Sequence, residues 1–259
     1  MNHLEKVARA GHLAKGTVYI LSGALALGAT IGATSQSSGK LGILKFLEEQ
    51  TFGKFILAIL GLGLICYAIW RFIQTFTDPE KIGDDKTGKA KRVAFFFSGL
   101  FYLGLGILAF IEIFRSPGKS GGGGSSFIPA EQQDMVFLII GVALAIKAAY
   151  QFITAFKGDF MEKFHFDTLS DVNIRKWCYR MGYAGHVARG VVISILAYFF
   201  IRASMGISRS GGDMKGTSEA FQFIREQSQG VWLLALTAVG LICYGTFMAL
   251  AARYRQFNV

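Results

Sequence analysis

Of 259 residues, 52% are hydrophobic and 17% are Asp, Glu, Lys or Arg, well below the roughly 25% charged share of soluble domains, and mean hydropathy is +0.42. Twenty-four phenylalanines and 32 glycines beside three prolines fit long apolar helices packed through small residues and exclude a disordered, collagen-like or disulfide-stapled chain. Cys66, Cys178 and Cys243 form neither a disulfide framework nor a C-x-x-C metal site. A net charge of +10 in such a composition points to cytoplasmic loops and anionic lipid headgroups, with no nucleic-acid partner.

A membrane span needs about 20 predominantly apolar residues. The first runs from Leu13 to Thr34, behind a charged start; it is too long for a signal-peptide core and has a copy later in the chain. Leu41 to Gln50 mixes Leu41, Leu44, Phe46 and Leu47 with Lys45, Glu48 and Glu49, the pattern of a short interfacial helix. Spans follow at Gly53 to Phe76 and Val93 to Phe114, then a flexible glycine-rich linker, Ser120 to Ser126. The fourth span is Met135 to Phe156 and the fifth Val187 to Gly206; a second amphipathic segment, Ser218 to Gln227, leads to the sixth, Val231 to Arg253. The N-terminus, the second and fourth connections and the C-terminal tail hold 17 of the 27 Lys and Arg residues, so the positive-inside rule predicts both termini in the cytoplasm.

The spans repeat. Gly11-His12-Leu13-Ala14-Lys15-Gly16 recurs as Gly185-His186-Val187-Ala188-Arg189-Gly190, and Gly63-Leu64-Ile65-Cys66-Tyr67 recurs unchanged as Gly240-Leu241-Ile242-Cys243-Tyr244. A weaker middle copy aligns Ser98-Gly99-Leu100-Phe101-Tyr102 with Lys15-Gly16-Thr17-Val18-Tyr19, and Gln151 to Phe156 with Arg71 to Phe76. The expected architecture is all-α: one polytopic membrane domain over residues 1–259, whose six transmembrane helices form three helix-pair repeats, 8–77, 91–157 and 178–255. Each unit holds two spans, so the copies share one orientation, and a pseudo-threefold axis along the membrane normal is the simplest closure.

With these motifs the sequence resembles the bacterial membrane proteins that carry a domain of unknown function, number 1206, in which a transmembrane helix pair occurs three times. The likeness spans nearly the whole chain and implies a multi-pass protein of the bacterial inner membrane, with no activity attached. The middle copy departs from the pattern, with Phe95 in place of His12 and His186, and Ser98 in place of Lys15 and Arg189.

Lys147 falls near the middle of the fourth span, where a charge costs about 2.5 to 3.5 kcal/mol and is expected to face the bundle interior or a wet cavity. Its aligned residues are Tyr67 and Tyr244, so symmetric closure predicts a pore or cavity lined by Lys147, Tyr67 and Tyr244; a snorkelling or packing lysine is the plainer reading. His12 with Lys15, and His186 with Arg189, are spaced i and i+3 on one helix face and are read as cytoplasmic contacts for an anion or a lipid headgroup. Gly28 and Gly32 form G-x-x-x-G, a close-packing motif. Trp70, Tyr150 and Phe247 share one repeat position and are expected in an aromatic layer.

No zincin, nucleophile-elbow, Walker or paired mid-span aspartate motif occurs, and no metal or cofactor is expected. Three functions remain: a channel or transporter for a small anion or proton-linked solute through the pseudo-threefold centre, a non-catalytic component that binds lipid or a partner, and, behind these, a membrane enzyme or redox carrier with an unfamiliar site. The expected partners are the bilayer, anionic headgroups on the cytoplasmic side, and a second copy or another membrane protein.

Overall fold

A computed structural model describes residues 3–31, 44, 46–47, 52–79, 82–83, 85–114, 133–161, 164, 172–205 and 229–255. Among them six helices are long and apolar enough to cross a membrane: α1 (His3–Thr30), α2 (Gly53–Phe76), α3 (Lys86–Phe114), α4 (Gln133–Lys157), α5 (Val172–Ser204) and α6 (Gly230–Tyr254). The glycine-rich linker and the second amphipathic segment lie outside the described residues. Of the first amphipathic segment, Leu44, Phe46 and Leu47 are described; all three are helical, and Leu44 and Leu47 are buried.

The expected second, third, fourth and sixth spans agree with the helices to within a few residues, apart from an early start for α3. Helices α1 and α5 begin about ten and fifteen residues before the apolar runs that marked them. Their first turns carry Lys6 and Arg9, and Arg175, Lys176 and Arg180, which depress hydropathy without breaking helical continuity. Glu5 makes an i,i+4 ion pair with Arg9 at 2.7 Å, a stabilising arrangement on a helix surface. The extension moves His12, Lys15, His186 and Arg189 from helix starts to mid-helix positions.

Helix α1 packs on α2 and on α6; α2 also packs on α3, and α5 packs on α4 and α6. Helices α3 and α4, consecutive in the chain, form no such interface among the described residues. In lipid, association is driven by van der Waals packing and interhelical hydrogen bonds, so it depends on small residues that let backbones approach. A Cβ at Gly185 would lie 2.5 Å from the Tyr244 Cα, and one at Gly11 would overlap the Tyr67 backbone in the same way. Gly63 faces Ala14, and Gly240 faces Ala188. The α1–α2 and α5–α6 contacts are therefore built alike, from the two recurring motifs.

Gly16 and Gly23 give α1 a second close face, against the Gly245 and Ala238 carbonyls of α6. The tight contacts of α1 thus fall at Gly11, Gly16 and Gly23. Gly28 is half-buried, and Gly32 lies outside the described residues.

Two large apolar clusters result, beside a small one of Ala8 and Trp70. One joins α1, α2 and α3 around Leu57, Leu64 and Tyr67. The other joins α5 and α6 to Tyr19 and Ala26 of α1 and to Phe160 and Phe164, in the segment after α4. The α3 face carrying Ala94, Phe97 and Phe101 is exposed, as is the α4 face carrying Ala143, Lys147 and Tyr150.

Candidate functional site

The two helix pairs that pack closely bring their recurring motifs together at mid-bundle. Lys15, 4% exposed, donates from Nζ to the Tyr67 hydroxyl at 2.7 Å. Arg71, one turn beyond Tyr67 on α2, donates to the same hydroxyl from Nε at 2.9 Å and from Nη2 at 2.5 Å, and from Nη1 to Gln74 at 2.9 Å. A single phenolic oxygen is thus held by two cations. The Lys15 ammonium also lies 4.6 Å from the Tyr67 ring centre, 5.5 Å from that of Tyr102 and 5.6 Å from that of Tyr244.

Arg189 is the α5 counterpart of Lys15. Its guanidinium carbon sits 4.2 Å from the Tyr244 ring centre and 5.2 Å from that of Tyr19, and its Nε is buried without a hydrogen-bond partner. Tyr19 meets Tyr244 edge to face at 4.8 Å, and Tyr67 meets Tyr102 at 4.7 Å. The centre is therefore a ring of four phenols, Tyr19, Tyr67, Tyr102 and Tyr244, enclosing two cations, with Arg71 at its edge. Cation–π contact of this kind is worth about 2 kcal/mol or more when desolvated. It spreads positive charge over the rings and does not neutralise it.

The histidines flank this ring. His12 and His186, 2% and 7% exposed, each pair Nδ1 with the carbonyl one turn earlier, Ala8 at 2.7 Å and Gly182 at 2.8 Å. Each ring then meets its tyrosine edge to face, His12 on Tyr67 at 5.3 Å and His186 on Tyr244 at 5.4 Å. His186 is further covered by Phe160, stacked at 5.0 Å. Arg255, Lys15 and Arg71 act electrostatically on His12, and Arg189 and Lys15 on His186.

Among the described residues no carboxylate lies in this centre to balance the charge. The six helices carry only Glu5, Glu112 and Asp134, each near a helix end, and Glu5 is taken by Arg9. No group of three or more His, Cys, Asp or Glu that could hold a metal occurs among the described residues. All three cysteines are free thiols.

Of the residues singled out from sequence, Tyr67, Tyr244, His12, Lys15, His186 and Arg189 meet in one site. Lys147 does not join them. It lies on the exposed face of α4, so the expected layer of Lys147 with Tyr67 and Tyr244 is replaced by Lys15 and Arg189 with the two tyrosines. Enclosure also separates His12 and Lys15 from the surface headgroup position expected of them. Within the shared aromatic position, Trp70 and Phe247 are buried and Tyr150 is 53% exposed. Arg71, Tyr19 and Tyr102 were not singled out for this site, although Arg71 lies four residues from Tyr67, and Tyr19 and Tyr102 share an aligned position.

Six spans around a basic, tyrosine-lined centre define a polytopic α-helical membrane protein. The chain belongs to the family described as Domain of Unknown Function (DUF1206), which matches residues 10–78 and 184–255, the stretches that hold the two closely packed helix pairs. It is similar to the uncharacterized protein YxxB of Bacillus subtilis (strain 168), with 29% identity over 263 aligned positions, 98% of this chain and 92% of that protein. No solved structure matches.

Proposed function

We propose that this protein binds a small anion at the centre of a three-pair helix bundle in the bacterial inner membrane and passes it across as a channel or transporter. The observation that carries this reading is the buried Arg189 Nε, a cationic donor without a hydrogen-bond partner, in a centre to which the described residues add Lys15 and contribute no carboxylate. Removing one partner of a buried ion pair costs about 3 to 5 kcal/mol because a charge is left uncompensated; a bound anion beside Arg189 supplies that compensation. Positive lining groups select anions. The tyrosine hydroxyls add neutral donors.

Aligned positions support the three-pair arrangement and explain its break. Gly11 and Gly185 align with Ala94, Ala14 and Ala188 with Phe97, and Gly63 and Gly240 with Ala143. The middle pair lacks the small residues that seat Tyr67 and Tyr244, so α3 and α4 do not close on each other. The axis then runs through the tyrosine ring, with the ring's wall thinnest at the middle pair. The excess of Lys and Arg at the N-terminus, the second and fourth connections and the tail favours cytoplasmic termini. The open α3–α4 face favours, as a second reading, a lipid- or partner-binding role.

The test is anion efflux from liposomes, measured for chloride, nitrate and phosphate with wild type and the Lys15→Met/Arg189→Leu variant, both checked for monodispersity. Flux of at least one anion should fall by about tenfold or more in the variant, the factor that corresponds to about 1.4 kcal/mol. Equal flux in both proteins, or background flux in wild type for every ion, overturns the reading.

A further inference from the structure

The two closely packed helix pairs differ at their cations. Lys15 and Arg189 share one repeat position, and so do Arg71 and Met248, which stand four residues after Tyr67 and Tyr244. In the α1–α2 pair the Tyr67 hydroxyl accepts hydrogen bonds from Lys15 at 2.7 Å and from Arg71 Nε at 2.9 Å, so both cations find a donor's partner within the protein. In the α5–α6 pair the second cation is replaced by Met248, which is buried and brings no donor. Arg189 meets Tyr244 over the face of the ring, its guanidinium carbon 4.2 Å from the ring centre, with the Tyr19 ring at 5.2 Å. Attraction to a π face draws on charge and leaves the in-plane N–H donors of a guanidinium to be satisfied separately. The buried Nε has no hydrogen-bond partner.

We propose that the α5–α6 half of the tyrosine ring selects an oxyanion, one that offers two oxygens to one edge of the guanidinium, over a halide, and that Arg189 is the residue that sets this specificity. The proposal rests on the reading of the centre as an anion site. On any arginine, Nε–H and the Nη–H of the same edge form a rigid fork that matches two oxygens of a carboxylate, nitrate or phosphate group. A spherical halide cannot meet both donors in line. A lysine in the same place is a point charge with no fork, so the exchange of Lys15 for Arg189 between the two copies changes what the position can recognise while keeping its charge. The surround of Nε is aromatic, with Tyr19 and Tyr244 packed edge to face at 4.8 Å, and in such a low-dielectric setting a directed hydrogen bond counts for more than in water.

Equilibrium dialysis of the purified protein in a neutral detergent, with radiolabelled formate and, separately, radiolabelled phosphate, reads the site. At least one of the two should bind saturably, and which one binds separates a carboxylate source from a phosphate source. Bromide sheds its water more readily than formate or phosphate, yet it should displace the label about tenfold or more less well than the unlabelled oxyanion does, the factor expected for one charged hydrogen bond. Arg189→Lys, checked for monodispersity, should bring bromide to within about threefold of the oxyanion by weakening the oxyanion and not the halide. The wild-type competition stands without any variant. Equal or better displacement by bromide in wild type, no saturable binding of either label, or an unchanged oxyanion preference in a monodisperse Arg189→Lys would each overturn the proposal. Halide efflux that still falls in Lys15→Met/Arg189→Leu would, beside any of these results, confine the failure to oxyanion selectivity; background efflux of every ion would remove the anion reading as well.

Discussion

The Lys15 ammonium and the Tyr67 hydroxyl are hydrogen-bonded at 2.7 Å across the α1–α2 interface, and Tyr67 is fully buried. This one contact ties the recurring α1 motif to the recurring α2 motif at mid-bundle, and Arg71 closes on the same oxygen.

Tyr67→Phe should therefore destabilise more than its lost hydroxyl suggests, because it leaves two cations facing an apolar ring. The expected cost is about 1 to 3 kcal/mol, the penalty for orphaned buried donors. In a double-mutant cycle with Lys15→Met the combined loss should be smaller than the sum, since the ammonium that suffers is gone. Thermal unfolding in detergent, scored by helical circular dichroism, measures both; strict additivity would remove the coupling.

Gly11 and Gly185 should tolerate no side chain. Alanine at either position meets the Tyr67 or Tyr244 backbone, and overpacking of this kind costs about 1 to 3 kcal/mol. Gly104 offers a matched control on α3, with nothing within 4 Å of its added Cβ. Gly104→Ala should melt at the wild-type temperature or slightly above, given the better helix propensity of alanine, while Gly11→Ala and Gly185→Ala melt lower.

Much of this was legible in the sequence. Six hydropathic runs located six helices, and the recurring motifs marked the residues that build the centre. The starts of α1 and α5 were missed because charged first turns lower hydropathy while leaving the helix intact, and with them the true depth of Lys15 and Arg189. Lys147 was placed at the centre on the strength of alignment with Tyr67 and Tyr244. The contrary signal lay on α3, where Phe97 stands in place of Ala14 and Ala188; α3 and α4 form no interface among the described residues, and Lys147 lies on an exposed face.

Small residues on α3 should bring it onto α4. Phe97→Ala with Ala94→Gly restores the pattern of the other two pairs, and a cysteine at Ala143 should then react more slowly with a membrane-permeant maleimide than it does behind Phe97. An unchanged or faster labelling rate would assign the separation of α3 and α4 to another cause.

The start of α3 should depend on pH. The Asp85 carboxylate accepts the Gly88 N–H at 2.9 Å, and that hydrogen bond holds its pKa below the ordinary carboxylate range; the Ile82 and Gly83 N–H groups do the same for Asp78. Each depressed pKa contributes stability that is fully present above the unfolded value, about 3.9, and is lost as pH falls through the lower folded value. Asp85→Ala should lower the melting temperature at pH 7 and flatten its decline below pH 4. A variant with the wild-type acid slope would show that Asp85 is not the group responsible.

The central claim is that Lys15 and Arg189 hold an anion, and anomalous diffraction from crystals grown in bromide tests it most directly. The account predicts an anomalous peak inside the ring of Tyr19, Tyr67, Tyr102 and Tyr244, within hydrogen-bond reach of Arg189 Nε. A well-ordered centre with no peak, and with Arg189 Nε donating to a protein oxygen, would contradict it.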